Sequence, residues 1–134
     1  MAHVRSSMLA VIVIATATAL AGCKIGIAVF DGGNVVSDSG SRDCFEGSTC
    51  TIEVKDTTFR ERFTAVPRAG YMFKQWSEQS HMCKGSTNPV CSVSTQGLSG
   101  NDLAENIIAS ETVYYLIPEF AAGPPNITKP PSGL

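Results

Sequence analysis

Residues 59–76 read FRERFTAVPRAGYMFKQW and contain two strand signals separated by a turn signal. Apolar and polar side chains alternate over its first half, residues 59–67, as they do in a strand with one buried face. Phe63 and Ala65 lie on the apolar side, whereas Glu61 interrupts that side, so the inward face is predicted to begin at Phe63. The pattern predicts a β-strand that packs one face against a core.

A turn and a returning strand are predicted to follow. Residues 67–70, Pro-Arg-Ala-Gly, combine the proline and glycine that are typical of turns. Tyr71 and Phe73 then continue the apolar face on the returning strand, which closes near Trp76. Because Trp76 ends a strand that alternates inward, we expect it in the core, the alternative being an exposed aromatic that recognises a ligand.

Further strand signals lie on both sides of this stretch. Residues 24–30 form an apolar run that stops at residues 31–33, Asp-Gly-Gly, and residues 34–36 resume it, which predicts two strands joined by a tight turn. Residues 51–55 alternate strictly and predict another strand. Residues 112–120 are apolar on both faces, which favours an interior position in a sheet.

The other segments carry weaker signals. Residues 101–110 predict one or two helical turns, with Asn101 as the N-terminal cap and with Leu103 and Ile107 on one face. Residues 121–134 are rich in proline and glycine, which predicts a disordered or polyproline-like tail.

The N-terminal segment has the layout of a secretory signal. Arg5 precedes residues 8–20, which are uncharged and mostly apolar, and small residues follow. A permanent membrane helix is disfavoured because a bilayer span needs about 20 apolar residues. Residues 20–23, Leu-Ala-Gly-Cys, end the run and resemble the lipobox of bacterial lipoproteins. The alternative is an ordinary cleaved signal with an incidental cysteine.

The lipobox resemblance implies that residues 1–22 are a signal peptide and that Cys23 is the lipidated N-terminus of a β-rich domain, residues 23–120. Cys23 would carry a diacylglyceryl thioether and, in many bacteria, a third acyl chain on its amine. Two chains already give stable anchoring, so the membrane is a predicted partner. Lys24 stands where aspartate often marks retention at the inner membrane. The expected location is therefore the cell envelope, and the outer membrane where the cell has one.

Four further cysteines predict a disulfide framework, since an even number in a small exported domain is typical of one. Four cysteines permit three pairings. The local pairs Cys44–Cys50 and Cys83–Cys91 are favoured because each brackets a loop rich in glycine and serine. Closing each short loop contributes about 2.5 kcal/mol. Their spacing and compartment argue against zinc, and no metal or other cofactor is predicted.

A series of motifs follows the order of a known family. Gly-Gly-Asn-Val-Val-Ser at residues 32–37 precedes the first cysteine pair. Phe-Thr-Ala-Val-Pro at 63–67, Gly-Tyr-Met-Phe at 70–73 and Trp-Ser at 76–77 precede the second. Residues 24–120 thereby resemble the divergent internalin-B-type B-repeat of bacterial surface proteins. The resemblance implies a mainly β, small antiparallel β-sheet domain, β-grasp-like and usually without catalytic activity, with at most one short helix and two disulfides.

Composition and motifs disfavour several functions. Without residues 1–22 the chain has nine Lys and Arg against twelve Asp and Glu, so its charge of −3 gives no basis for nucleic-acid binding. His81 lacks the pattern of a catalytic triad, and His81-Met82 has no clear third copper ligand. The carboxylates are scattered, without a spacing that marks a glycosidase pair. We therefore predict no catalytic residue and no enzyme activity.

One surface is a candidate for ligand binding. If Phe63 points inward, Arg60 and Arg62 point outward beside Lys74 of the returning strand, and Arg68 caps the same hairpin. Such a basic strip suits an anionic glycan, a lipid headgroup or an acidic patch of an envelope protein. The alternative is an ordinary solvated sheet face that discourages edge pairing.

The sequence as a whole favours a lipid-anchored, non-catalytic module that binds a ligand or has a structural role in the cell envelope. The alternative is a small inhibitor or accessory subunit of an exported enzyme or secretion machine. A hydrolase is disfavoured because no catalytic constellation is present.

Overall fold

The computed structural model describes residues 22–97, 100 and 102–123, and only the backbone of residues 102–105. Residues 1–21 of the predicted signal peptide and residues 124–134 of the predicted tail lie outside the described residues. Within the described residues the chain forms eight strands and one helix: β1 Cys23–Ala28, β2 Gly33–Ser37, β3 Thr49–Val54, β4 Arg60–Pro67, β5 Tyr71–Trp76, β6 Val90–Ser94, α1 Asp102–Ala109, β7 Val113–Leu116 and β8 Pro118–Ala122.

The strands form three small sheets, with the orders β3-β1-β7, β2-β4-β6 and β5-β8. Four of the pairs in the described part of the chain are antiparallel, and β1 with β7 is parallel. Parallel pairing departs from the predicted antiparallel sheet and needs a long crossover, which the chain supplies because β7 follows only after β6 and α1. The predicted mainly β domain with one short helix is confirmed.

Residues 59–76 form the two predicted strands, β4 and β5, but these strands do not pair with each other. Strand β4 lies between β2 and β6, so both of its hydrogen-bonding edges are occupied. The predicted returning strand β5 therefore pairs with β8 and joins a different sheet. The turn itself forms, since the Tyr71 N–H donates to the Arg68 carbonyl at 2.9 Å and Gly70 has a φ of +85°. It is a corner between sheets, and the predicted hairpin is wrong.

The turn before β2 also connects two sheets. Strand β1 is flanked by β3 and β7, so the two strands predicted to share a tight turn do not pair. Gly32 lies in this turn with a φ of +108°, which disfavours any side chain. A Cβ at Gly32 would also lie 2.5 Å from the Cβ of Phe120 on β8. This glycine therefore lets β8 approach the start of β2.

The last predicted strand is divided in two. The carbonyl of Ile117, between β7 and β8, accepts a hydrogen bond from the Ser77 N–H at 2.7 Å. β7 lies at the edge of its sheet and β8 has one partner among the described strands, so the predicted interior position is wrong. The apolar residues of 112–120 instead pack in two places: Leu116 of β7 is fully buried, and Phe120 of β8 packs against Phe73. β8 also continues to Ala122, two residues into the predicted tail.

The core lies between the sheets and contains the apolar residues predicted for it on β4 and β5. Phe63, Ala65 and Trp76 are buried, and the indole of Trp76 is fully enclosed. Its Nε1–H donates to the Asn88 carbonyl at 2.9 Å, which satisfies the single polar group of the ring. The prediction of a core tryptophan is confirmed. Both predicted disulfides are present, and Cys44 and Cys91 place one sulfur of each in the core.

The predicted helix forms as α1 but turns a different residue inward. Ile108 is buried, whereas Ile107 is 40% exposed, so the inward face is centred one position later than predicted. Asn101 and the side chain of Leu103 lie outside the described residues. Among the helices that the structure describes, none is long and apolar enough to cross a bilayer.

Candidate functional site

Cys23 is the first residue of β1. It pairs with Val54, the last residue of β3, and only 7% of its surface is exposed. It shares the inward side of β1 with Ile25 and Ile27, which belong to the core. The cysteine is not part of a disulfide, and burial raises the pKa of its thiol. A protonated, buried thiol is a weak nucleophile, so Cys23 in the folded domain is expected to be unreactive.

An apolar cavity of about 310 Å³ lies beside Cys23. The side chains of Cys23 and Val54 line it on one side and that of Ile108 lines it from α1. Val93 on β6 and Tyr114 on β7 complete much of the wall. The cavity therefore lies where the first strand, the helix and two later strands meet. Nothing in the sequence pointed to it, because residues distant in the chain build it.

The four candidate basic residues do not form one strip. Arg60 and Arg62 lie on β4, whereas Lys74 lies on β5 in a different sheet. Lys74 Nζ lies 3.7 Å from Glu119, and the Arg68 guanidinium lies 3.4 Å from Asp31. Arg68 also contacts Glu46 at 3.5 Å. These carboxylates offset the positive charge of both residues, so the basic surface reduces to the pair on β4.

Arg60 and Arg62 form the outer face of β4 together with two serines of β6. The register places Arg60 opposite Ser94 and Arg62 opposite Ser92, and all four are exposed. A groove of about 360 Å³ runs along these side chains. Arg62 forms an ion pair with Asp38 at 3.0 Å, and Arg60 has no ion-pair partner in the described part of the chain. Guanidinium groups beside hydroxyls provide donors that suit an anionic ligand.

On the opposite face of β4, Glu61 forms a buried polar cluster that the sequence did not indicate. Glu61 is 5% exposed and lies on the same side as Phe63, so the inward face begins before the predicted residue. Its carboxylate accepts hydrogen bonds from the Arg42 guanidinium and from the Ser39 hydroxyl, each at 2.7 Å. The Arg42 guanidinium also lies over the ring of Phe59, 5.2 Å from its centroid. The loop before β3 is thereby fixed to β4.

The surroundings of Glu61 favour its charged form. Burial alone would raise the pKa of this carboxyl. Hydrogen bonds from Ser39, Arg42 and the backbone N–H of Arg62 outweigh burial and hold the pKa below its ordinary value. The ionised carboxylate therefore contributes to stability above the ordinary pKa of a glutamate, and this contribution is lost as the pH falls through the lower pKa of the folded state.

Replacing Glu61 with glutamine is expected to destabilise the fold by about 1–2 kcal/mol near neutral pH, because hydrogen bonds to a charged group are lost. The difference from the wild type should shrink in acid, where the wild-type carboxyl is protonated as well. Urea unfolding at neutral and acidic pH measures both effects. Glu53→Gln removes the same charge from a half-exposed side chain that contacts Lys55, and should change stability by less than about 0.5 kcal/mol. Equal losses in the two variants, or a constant difference across pH, would contradict this account.

The contacts of His81 hold a loop in place. Its Nδ1 accepts a hydrogen bond from the Tyr115 backbone N–H at 2.8 Å, and its ring packs edge-on against Tyr114. Nε2 therefore carries the proton of the neutral ring. These contacts attach the loop between β5 and β6 to β7. Within the described ranges, no three His, Cys, Asp or Glu side chains cluster in a way that could hold a metal ion.

Comparison with protein-family models, with curated proteins and with solved structures finds no match for this chain. The class of protein is therefore described from the fold and the side chains alone. Together they define a small, mainly β domain with one short helix and two disulfides. Its first strand begins at Cys23, and its basic outer face lies on β4.

Proposed function

We propose that this chain is a lipid-anchored lipoprotein of the bacterial cell envelope, in which the β domain acts as a non-catalytic binding or structural module. The observation that carries the proposal is the position of Cys23. The residue that the lipobox resemblance marks for lipidation is also the first residue of β1. Cleavage after Gly22 would leave every described strand intact, so processing and folding are compatible.

The lipidation chemistry requires an accessible thiol. In the proposed step, Cys23 Sγ forms a carbon–sulfur bond to the diacylglyceryl group of a phospholipid. The carbon–oxygen bond between that group and the phosphate breaks, so the phosphorylated headgroup leaves and takes up the thiol proton. Water then hydrolyses the peptide bond between Gly22 and Cys23, which frees the amine. Cys23 is buried in the folded domain, so the modification must precede the packing of β1.

The two disulfides support an exported domain. Disulfides persist in oxidising compartments and are rare in the cytosol. A mature domain of this size has a limited core, for which crosslinks compensate. Cys44–Cys50 anchors the loop before β3, and Cys83–Cys91 anchors the loop before β6. Lys24, in place of an aspartate after the lipidated cysteine, favours the outer membrane.

The outer face of β4 and β6 is the proposed ligand surface of the module. Arg60 and Arg62 flank the groove described above, and the exposed Arg62–Asp38 pair is worth at most about 1 kcal/mol. An anionic ligand can therefore displace Asp38 at little cost. A glycan bearing sulfate or carboxylate groups matches this combination of guanidinium and hydroxyl donors. The B-repeat resemblance of residues 24–120 also favours a module that binds without catalysis.

Fractionation and metabolic labelling test the proposed anchoring. Cells that express the chain are expected to incorporate alkyne-palmitate into it, and the protein should stay in the membrane fraction after a high-salt wash. Detergent should extract it, because acyl chains and not ion pairs hold it. Alkylation of free thiols before lysis should leave the four domain cysteines unmodified. An unlabelled protein with reduced cysteines in the cytosol would contradict the proposal.

Arg60→Ser combined with Arg62→Ser is expected to weaken binding to dextran sulfate by roughly tenfold or more, because two charge-assisted contacts are lost. Affinity of the wild type should fall with salt, and neutral dextran should not bind. Lys74→Ser combined with Lys84→Ser removes the same charge from exposed positions outside the groove. Binding by titration calorimetry should be nearly unchanged in this control. Equal weakening in both double variants would show that net charge alone governs binding and would exclude a defined surface.

A further inference from the structure

We infer that the apolar cavity beside Cys23 holds one of the acyl chains that lipidation attaches to this residue, while the other chains enter the bilayer. This inference rests on the proposed lipidation of Cys23. It adds a binding site within the domain and fixes which end of the domain faces the membrane.

The attachment point and the cavity coincide. Cys23 itself lines the cavity, so the glyceryl group on its sulfur lies at the cavity wall and its acyl chains begin within a few bonds of the cavity. Since Cys23 is the first residue of β1, no flexible segment separates the lipid from the fold. The lipid-bearing end of the domain must therefore lie against the bilayer surface, where the neighbouring chains insert.

The chemistry of the walls matches a hydrocarbon. Ile25, Val54 and Ile108 contribute aliphatic side chains, and Met82 contributes a flexible thioether that adapts to irregular shapes. The hydroxyl of Thr95, also in the wall, donates to the Asp56 carbonyl at 3.0 Å. No buried side-chain nitrogen or oxygen in the described residues lacks a hydrogen-bond partner. Ser92 and Ser94 also line the cavity and are exposed, but most of the accessible lining is apolar, so an apolar guest is favoured.

The size of the cavity is sufficient for part of an acyl chain. An engineered apolar cavity of ~150 Å³ binds benzene. The cavity beside Cys23 is about 310 Å³, which accommodates a longer hydrocarbon segment. Ile107 lines the same cavity and is 40% exposed, so it provides an apolar edge at which the remaining chain or a neighbouring lipid can continue.

A photoreactive fatty acid tests the inference on the full chain in its native membrane. Cells are fed a fatty acid that carries an alkyne for detection and a diazirine within the chain for crosslinking. Illumination is followed by proteolysis and mass spectrometry. We expect crosslinks from the lipid of Cys23 to the cavity wall, at Val93, Tyr114 and Ile108. Crosslinks only to membrane lipids would overturn the inference while leaving the lipidation intact, and absence of the label from Cys23 would overturn both.

A substitution that fills the cavity, compared with the same substitution at the surface, tests the inference a second way. Val93→Trp places a large ring in the cavity and should lower crosslinking to the wall by roughly tenfold, because overpacking disfavours the docked chain. Val66→Trp makes the same change at an exposed position of β4 and should leave crosslinking unchanged. Ile107→Trp, at the half-exposed edge, serves as a second test if Val93→Trp does not fold. Unchanged wall crosslinks in a folded, filled variant would contradict the docked chain.

Discussion

Replacing Cys23 with serine is expected to abolish acylation of the protein completely and to leave residues 1–22 attached. Serine offers no thiol for the thioether, and in lipoproteins, which the residues around Cys23 resemble, removal of the leader follows lipidation. Each buried methylene contributes about 0.8 kcal/mol of membrane attachment, so the loss of two or three whole chains is the largest single change available in this molecule. Alkyne-palmitate labelling and the intact mass of the purified protein measure the two effects.

A second cysteine variant provides the control. Cys44→Ser combined with Cys50→Ser removes two thiols and one disulfide but leaves Cys23 in place. It should destabilise the domain by roughly 2–3 kcal/mol while remaining acylated and processed. A Cys23→Ser protein that still carries palmitate, or that still loses residues 1–22, would show that another residue or an ordinary signal peptidase is responsible.

Trp76→Ala is expected to destabilise the fold by about 3–5 kcal/mol, a large fraction of the 5–15 kcal/mol that stabilises a typical domain. Trp76 is fully buried and packs edge-on against Phe73 with 5.5 Å between ring centroids. Truncation leaves a large cavity and also removes the donor that satisfies the Asn88 carbonyl. Urea unfolding followed by circular dichroism measures the change.

Met72 lies near the other end of the same strand and is 53% exposed. Met72→Ala should therefore change stability by no more than about 0.5 kcal/mol. Comparable losses at Trp76 and Met72 would contradict the assignment of β5 faces, and with it the location of the core.

The sequence predicts the faces of the strands well because alternation reports burial directly. Phe63, Ala65 and Trp76 are core residues as predicted, and both disulfides join the cysteines that lie nearest in the chain. Strict alternation from Phe73 would point Trp76 outward, but the register shift between Phe73 and Gln75 turns it inward. Alternation carries no information about which strand lies beside which, however. β4 and β5 look like a hairpin in sequence, yet β2 and β6 occupy both edges of β4. Pairing depends on residues far away in the chain.

The same limit explains the parts of the candidate site that the sequence did not reveal. Glu61 looks like an interruption of an apolar face until Arg42, nineteen positions earlier, is seen to bind its carboxylate. Asp38 and Glu119 likewise pair with Arg62 and Lys74 only in the folded chain. The cavity beside Cys23 needs β1, β6, β7 and α1 together. Local patterns predict elements, whereas charge pairing and cavities arise from their packing.

The mass of the N-terminal peptide of the mature protein shows whether Cys23 is lipidated and begins the chain. Protein extracted from membranes with detergent is digested, and the peptide that contains Cys23 is measured by mass spectrometry. We expect this peptide to begin at Cys23 and to carry the mass of a diacylglyceryl group, with or without a third acyl chain on the amine. An unmodified peptide that runs through Gly22 and Cys23, or a mature chain that begins elsewhere, would contradict this expectation.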